Sequence, residues 1–415
     1  MSALPTMVPG ARKSYRRGTD RIVPPEATLS RVRPLLPVMG ITRIANVTGL
    51  DRVGIPVVMV SRPNSRSISV SQGKGLDLAA AKASGVMEAI EAYHAETITL
   101  PVKFASYSEL CYGHRMVDVA GLPFCAGSRW QADLALLWIE GRELLSREPV
   151  WLPHELVSTN YTLPLPPGSG CFAANTNGLA SGNSLAEAIC HGICELIERD
   201  ATTLWRLHGD AWRDARAINP ATVDDPDCRE LLARFEQASV AVRIWDATSD
   251  IAVACFQCLI MGRHETDADP EFGAGCHPRR EVALCRALTE AAQARTTYIV
   301  GARDDLASEL YEGEVRARRA QEARALFERS LPTSDFRAVP SWDAETVDDD
   351  VEELLRRLQL VGIGEVVLVE LTKPAFRLPV ARMVIPGLEG AYHETGDYVA
   401  GPRALGALGA EGERV

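Results

Sequence analysis

Three stretches of this sequence carry one helical signature, and a chain that repeats a helix must find a way to pack its copies together. Seven residues before Glu88, Glu195 and Glu290 stands an alanine (Ala81, Ala188, Ala283), and three before each stands a small residue (Gly85, Gly192, Ala287). Two before is Val86, Ile193 or Leu288, and three after is Glu91, Glu198 or Gln293. The copies lie roughly a hundred residues apart, which predicts related units packed about a shared centre. Alanine-rich helices resemble one another by composition alone, but two features go further. The positions around the acids are apolar on nearly every side, as in Val86, Met87, Ala89, Ile90 and Ala92, and a helix apolar all round is a buried one. Four residues after Glu88 comes Ala92, and after Glu187 comes His191, where a surface helix would often place Lys or Arg. These carboxylates are expected to look inward.

Acids three residues apart share a helical face, so Glu88 pairs with Glu91 and Glu195 with Glu198. Asn183 and Glu187 lie one turn apart at the front of the second helix, and Arg199 follows Glu198. Buried carboxylates are costly without a cation, and pairs this dense suit a hard divalent ion such as Mg²⁺. Because Mg²⁺ takes few protein ligands and usually shares its shell with phosphate oxygens, the pattern points to a nucleotide. Gln293, Arg295 and Lys74 could supply the hydrogen bonds and positive charge that phosphates need. The Gly-Lys-Gly around Lys74 lacks the GxxxxGK[ST] pattern of a Walker loop. The bland alternative is a set of buried acids paired only with Arg199 and Arg295.

A chain of 415 residues exceeds the roughly 250 to 300 at which a single core stops growing, so more than one subdomain is expected. The clearest break is Pro164 to Gly170, which divides the chain at 165/166 into an N-terminal part with the first acidic helix and a C-terminal part with the other two. Short apolar runs between 41 and 71 predict a strand meander. Helices are predicted over 77–96, 184–207, 279–298, 307–328 and 348–358, and strands over 241–245, 251–260, 365–371 and 380–385. The interspersed elements indicate an α+β fold. The charged helix 307–328 reads as a solvated face without chemistry. A net charge of −11 disfavours nucleic acid as a partner, and no apolar run reaches the length of about 20 residues that a membrane span needs. Ten cysteines form no disulfide framework. The Cys255–Cys258 CxxC sits in a run that reads as a buried strand, and Cys190 and Cys194 read as helix core. A cytoplasmic location is expected.

The residues resemble one family. Ser84-x-x-x-Glu88-x-x-Glu91, then Ala-Asn-Thr-Asn-Gly-Leu-Ala-x-Gly-Asn183 followed by Glu187, Glu195, Glu198 and Arg199, and finally Glu290-x-x-Gln293-x-Arg295, are similar to the ATP-binding core of the YcaO family. The resemblance spans about residues 10 to 400 and implies a fold of repeated α/β subdomains packed around a central ATP site. It implies Glu88, Glu91, Glu195 and Glu198 as metal ligands, and Ser84, Asn183, Glu187, Arg199, Gln293 and Arg295 as contacts to nucleotide or metal. Glu187 and Arg199 would serve catalysis, Lys74 the cofactor, and Lys13 and Arg21 the phosphates. One departure is Ala92, where many members carry Arg. Three segments, Ile44 to Asp51, Pro63 to Arg66 and Ile385 to Gly390, resemble the branch found with a TfuA-like partner protein.

In that family ATP phosphorylates an amide oxygen, turning a poor leaving group into a good one, and a nucleophile then attacks the amide carbon. A neighbouring Cys, Ser or Thr of the substrate gives an azoline, whereas external sulfide gives a backbone thioamide. Azoline formers commonly end in a proline-rich tail, and the stretch from Gly401 to Val415 holds one proline, which favours the thioamide. The resemblance therefore implies ATP and Mg²⁺ as cofactors. Its implied partners are a peptide or protein substrate, a TfuA-like protein with a sulfide donor, and a second copy in a homodimer. An azoline-forming cyclodehydratase and a non-catalytic peptide-binding scaffold are the alternatives.

Overall fold

The computed structural model describes residues 10, 12–264, 269–303, 305–329, 331–390 and 398–412. The chain is α+β, with three antiparallel sheets among the described residues, and each of the three related helices follows directly from a strand. Strands Arg43–Asn46, Val57–Ser61 and Val70–Lys74 form the first sheet and lead into the first site helix, Leu78–Glu96. The strand Leu179–Ser181 leads into the second, Leu185–Leu207, and Glu271–Cys276 into the third, Arg280–Val300. Asp77 caps the first helix by accepting from the Ala80 N–H at 2.8 Å, and Ser184 caps the second through the Glu187 N–H at 3.2 Å. These side chains satisfy N–H groups that a helix start leaves unpaired.

The sheet under the third helix consists of Val240–Asp246, Cys255–Gly262 and Glu271–Cys276. Its last strand is not predicted, because Glu-Phe-Gly-Ala-Gly-Cys has a weak strand propensity. The glycines are there for packing. A Cβ on Gly275 would lie 2.1 Å from the Ala283 carbonyl oxygen, and one on Gly73 would lie 2.0 Å from that of Ala81. Ala81 and Ala283 are equivalent positions of the repeat, so the same close approach of strand to helix occurs twice.

The six-stranded sheet takes Val102–Ala105, Leu136–Glu143 and Pro149–Pro153 from the first part of the chain. It takes Leu179–Ser181, Val367–Glu370 and Val380–Val384 from the second, and so runs across the 165/166 division. Three apolar clusters fill the interior, each with one site helix. Cys255 and Cys258 point to opposite faces of their strand, into two different clusters, so the CxxC offers no shared metal. Cys190 and Cys194 lie on the second site helix and face the core.

Other elements depart from the sequence reading. The helix Pro226–Gln237 is not predicted, although Asp225 caps it and Pro226 opens it. The charged helix begins at Gly313, after a short 3₁₀ turn at Ser308–Tyr311. Only Ala323 on it is buried, as a solvated face requires, yet Arg319 reaches the central cavity. The segment after Gly401 is helical over Pro402–Gly412 and docks on the second site helix through Arg403 and Asp200 at 2.8 Å; residues 413–415 of the tail lie outside the described residues. No helix among the described residues is long and apolar enough to cross a membrane.

Candidate active site

The three site helices enclose a cavity of about 720 Å³. Each contributes the same face. Positions four before, at, and three after the repeated acid all line the cavity: Ser84, Glu88 and Glu91; His191, Glu195 and Glu198; Arg286, Glu290 and Gln293. That spacing is one stripe of an α-helix.

A backbone N–H from the strand before the helix, or from the turn that opens that strand, grips each repeated acid. The Gln72 N–H donates to Glu88 at 3.3 Å, the Gly178 N–H to Glu195 at 3.1 Å and the Ala274 N–H to Glu290 at 3.3 Å. Backbone donors aim the carboxylates without neutralising them. Lys74 pairs with Glu290 at 2.5 Å, and Arg199 lies 3.4 Å from Glu198 and 3.7 Å from Glu195. Lys74 and Arg199 together hold Glu290 below the ordinary carboxylate range against the burial that would raise it. The other acids are under-compensated. Burial pushes Glu88 up to about 7 and Glu198 to about 7, and burial together with the charges of Glu88 and Glu195 pushes Glu91 to about 8, although the Ser181 hydroxyl donates to it at 2.6 Å.

This is a set of hard oxygen donors with more negative charge than its direct cations offset, which fits Mg²⁺. No three of these carboxylates bring oxygens within 4.8 Å of one another among the described residues. One or two protein ligands per ion, with phosphate oxygens completing the shell, is the arrangement that Mg²⁺ takes.

The remaining expected residues divide. Asn183, Glu187 and Arg21 line the cavity with Lys74. Glu187 is fully buried and accepts from three N–H groups, those of the Ile22 backbone (2.7 Å), the Asn183 backbone (2.7 Å) and the Asn183 side chain (3.2 Å). Its carboxylate is thereby an anchor that ties the N-terminal segment to the second helix, not an unengaged base. Gln293 donates to the Gln72 side chain at 3.2 Å.

Two expectations are corrected. Lys13 does not reach the cavity: it sits in a closed ion cluster, 2.7 Å from Asp350 and 3.3 Å from Asp20. Arg295 is buried against Asp51 at 3.1 Å and opens onto a smaller hollow with Asp269, which shares Glu271 and Tyr298 with the cavity wall. Asp350, the nearer partner of Lys13, and Asp51, the partner of Arg295, come from distant parts of the chain, a pairing that local spacing does not reveal.

His191 and Arg286 line the cavity and have no counterpart in the sequence reading, while Glu290 enters it as part of the repeat but with no role. The repeat carries the signal: His191 and Arg286 stand four residues before their acids, the position that Ser84 takes in the first copy. Arg303 and Arg319 also line the cavity, from segments outside the repeat.

Comparison with known proteins agrees with this architecture. Residues 72–389 match the model of the YcaO cyclodehydratase family, described as ATP- and Mg²⁺-binding. The chain belongs to the YcaO family. ATP and Mg²⁺ are thus the ligands of its family. A Rhizobium leguminosarum bv. trifolii protein, described as an uncharacterized protein in the tfuA 3' region, is 35% identical over 405 residues, covering 94% of each chain. A Methanothermobacter thermautotrophicus protein is 34% identical over 375 residues, covering 88% of this chain and 94% of its own. Among solved structures, YcaO from Methanopyrus kandleri bound with AMPPCP and Mg²⁺ superposes with a TM-score of 0.73 at 21% identity, covering 94% of this chain and 98% of that one. A heterocyclase in complex with substrate and cofactor gives 0.75 at 24% identity; this YcaO chain spans 56% of that protein. At such identities the superpositions establish the fold.

Proposed function

We propose that this YcaO protein uses ATP and Mg²⁺ to activate a backbone amide of a peptide or protein and then exchanges the amide oxygen for sulfur. The observation that carries this reading is the cavity into which three related helices turn the five carboxylates of their repeated stripe. Bound Mg²⁺ would supply charge neutralisation for the phosphates, with Glu88, Glu91, Glu195 and Glu198 as its protein ligands. Arg199, set between Glu195 and Glu198, stays charged and places a guanidinium at the same edge, where it can bear on a phosphoryl oxygen. Arg21 and Arg286 add positive charge along the wall, and Ser84, Asn183 and Gln293 offer neutral hydrogen bonds to the nucleotide. Lys74 keeps Glu290 ionised. Work of this kind is positioning and electrostatics rather than covalent chemistry by the protein.

The chemistry balances as follows. The amide oxygen takes the γ-phosphoryl group and ADP departs. Hydrosulfide adds to the amide carbon, a proton is lost, and the original oxygen leaves as part of inorganic phosphate, with C=S in its place. The thioamide outcome rests on the segments that resemble the TfuA-associated branch and on the relative from the tfuA 3' region; a TfuA-like partner delivering sulfide belongs to the same reading, as does a homodimer. The family description favours a second outcome, ring closure by a Cys, Ser or Thr of the substrate. A non-catalytic scaffold is disfavoured by the intact set of acids, which without a metal would only destabilise the helices.

Mass spectrometry of a candidate peptide after incubation with the protein, ATP, Mg²⁺, sulfide and the TfuA-like partner separates the outcomes. The expected product gains the mass difference between sulfur and oxygen and requires sulfide. Loss of one water without any need for sulfide would transfer the assignment to cyclodehydration.

A further inference from the structure

Arg382 lies in the strand Val380–Val384 and is buried, 2% exposed. Its Nη2 donates to the Asn175 carbonyl at 2.8 Å, while Nε and Nη1 find no hydrogen-bond partner among the described residues. A guanidinium buried with two idle donors is costly, so its place calls for an offsetting role. The surroundings indicate one.

Arg382 and its neighbour Met383 hold the two ends of a single turn. The Met383 N–H donates to the Gly178 carbonyl at 2.8 Å, and Arg382 takes the Asn175 carbonyl at the other end. Inside the turn, the Asn177 N–H donates to the Asn175 side chain at 2.9 Å and the Leu179 N–H to the Thr176 carbonyl at 2.9 Å. The Gly178 N–H, held in this way, is the donor that grips Glu195 at 3.1 Å. Glu195 is also the carboxylate whose charge acts on Arg382. Arg199 approaches the same carboxylate at 3.7 Å.

We propose that Arg382 is a positioning residue for the metal edge of the site: it fixes the turn whose Gly178 N–H aims the Glu195 carboxylate, and it adds a buried positive charge to the surroundings of that carboxylate. Arg382 does not line the cavity, so it acts through Glu195 and not on the nucleotide itself. The proposal rests on the reading of Glu195 as a metal ligand and adds a determinant outside the repeat.

The test measures Mn²⁺ affinity in the presence of ATP, by electron paramagnetic resonance of free Mn²⁺, alongside the melting temperature and the KM for peptide. Arg382→Met is expected to fold and to melt at or above the wild-type temperature, since an incompletely paired buried charge is removed. Its Mn²⁺ affinity is expected to fall about tenfold, as for loss of a group that orients a metal ligand, with peptide KM unchanged. Arg382→Lys keeps the charge and weakens the hold on Asn175, and should recover part of that loss. A purely structural role would lower the melting temperature and leave Mn²⁺ affinity alone. Mn²⁺ affinity within about twofold of wild type in Arg382→Met overturns the proposal; if that variant does not fold, unchanged affinity in Arg382→Lys does so. Glu198→Gln is the control. Should it also bind Mn²⁺ and ATP as wild type does, the assignment of the carboxylates as metal ligands fails first. If it loses binding while the Arg382 variants do not, only the positioning role falls.

Discussion

Two buried charge clusters of this YcaO protein lie close in the fold and differ in kind. Around Lys13 the charges are matched: Lys13 meets Asp350 and Asp20, Arg279 reaches Asp20 at 2.9 Å, and the Lys13 and Asp350 side chains are 0% and 1% exposed. In the cavity the five carboxylates of the repeated helix stripes, Glu88, Glu91, Glu195, Glu198 and Glu290, meet two directly paired cations, Lys74 and Arg199, while Glu271 pairs with Arg319 at 3.0 Å and Glu187 is held by N–H donors. Arg286 donates instead to the Cys276 carbonyl, and Arg303 pairs with Asp305. Two of the cavity acids are also partly open, the Glu290 side chain 29% exposed and that of Glu195 22%, whereas Glu198 is buried. A closed and balanced cluster serves the fold. An open one whose stripe carboxylates outnumber the cations paired with them is suited to a cation from solution.

The sharpest way to break this contrast is to remove one charge from each cluster. Glu198→Gln should cut substrate-dependent ATP consumption on the order of a hundredfold, as loss of a metal-site group does, while the metal-free protein melts no lower than wild type. Phosphate release and a thermal melt measure the two halves of that statement, and near-normal turnover would remove Glu198 from the metal site. Lys13→Met should do the reverse. Stranding Asp20 and Asp350 without their shared cation is expected to cost about 3–5 kcal/mol in urea unfolding, with Mg·ATP affinity of the folded protein unchanged.

A gentler perturbation is pH. Glu88, Glu91 and Glu198 titrate near 7 to 8 in the folded protein, above the ordinary 4.5, so between these values the native state holds protons that the unfolded chain has released. The metal-free protein should therefore lose stability as pH rises from 4.5 through 8. Mg²⁺ with ATP should flatten that slope, because it binds the ionised form. Asp350, lifted by burial to about 7 in spite of Lys13, adds to the same slope but should not respond to Mg²⁺. His94, held down to about 4 by burial, acts in the opposite direction: its contribution is lost as pH falls from 6.5 through 4. Melting temperatures across pH, with and without Mg·ATP, separate these contributions. The smallest effect is expected at the rim of the closed cluster. Arg16 pairs with Asp343 at 2.7 Å, but the two side chains are 38% and 50% exposed, and Arg16→Ala should cost less than about 1 kcal/mol.

The site was legible in the sequence to the extent that it follows helical periodicity. Glu88, Glu91, Glu195 and Glu198 stand where the repeat predicts, on inward faces of buried helices, and Ser84 and Gln293 line the same cavity from the same stripes. The elements that escaped notice have local signals too weak or too mixed to read. Glu271–Cys276 is a strand in spite of two glycines, because a helix must lie close upon it. Arg319 reaches the cavity from a helix whose composition is that of a solvent-facing surface.

The sequence by itself determined that three related helices would be buried and would carry their acids on one face, because a 3.6-residue period and an absence of nearby cations are properties of neighbouring residues. The tertiary structure decided which cations those acids would meet. Lys74 comes to Glu290 across 216 residues of chain, Arg295 turns away to Asp51, and Lys13 is taken up by Asp20 and Asp350. The electrostatic role of a basic side chain is set by charges within a few ångströms of it, and chain folding alone brings those charges together.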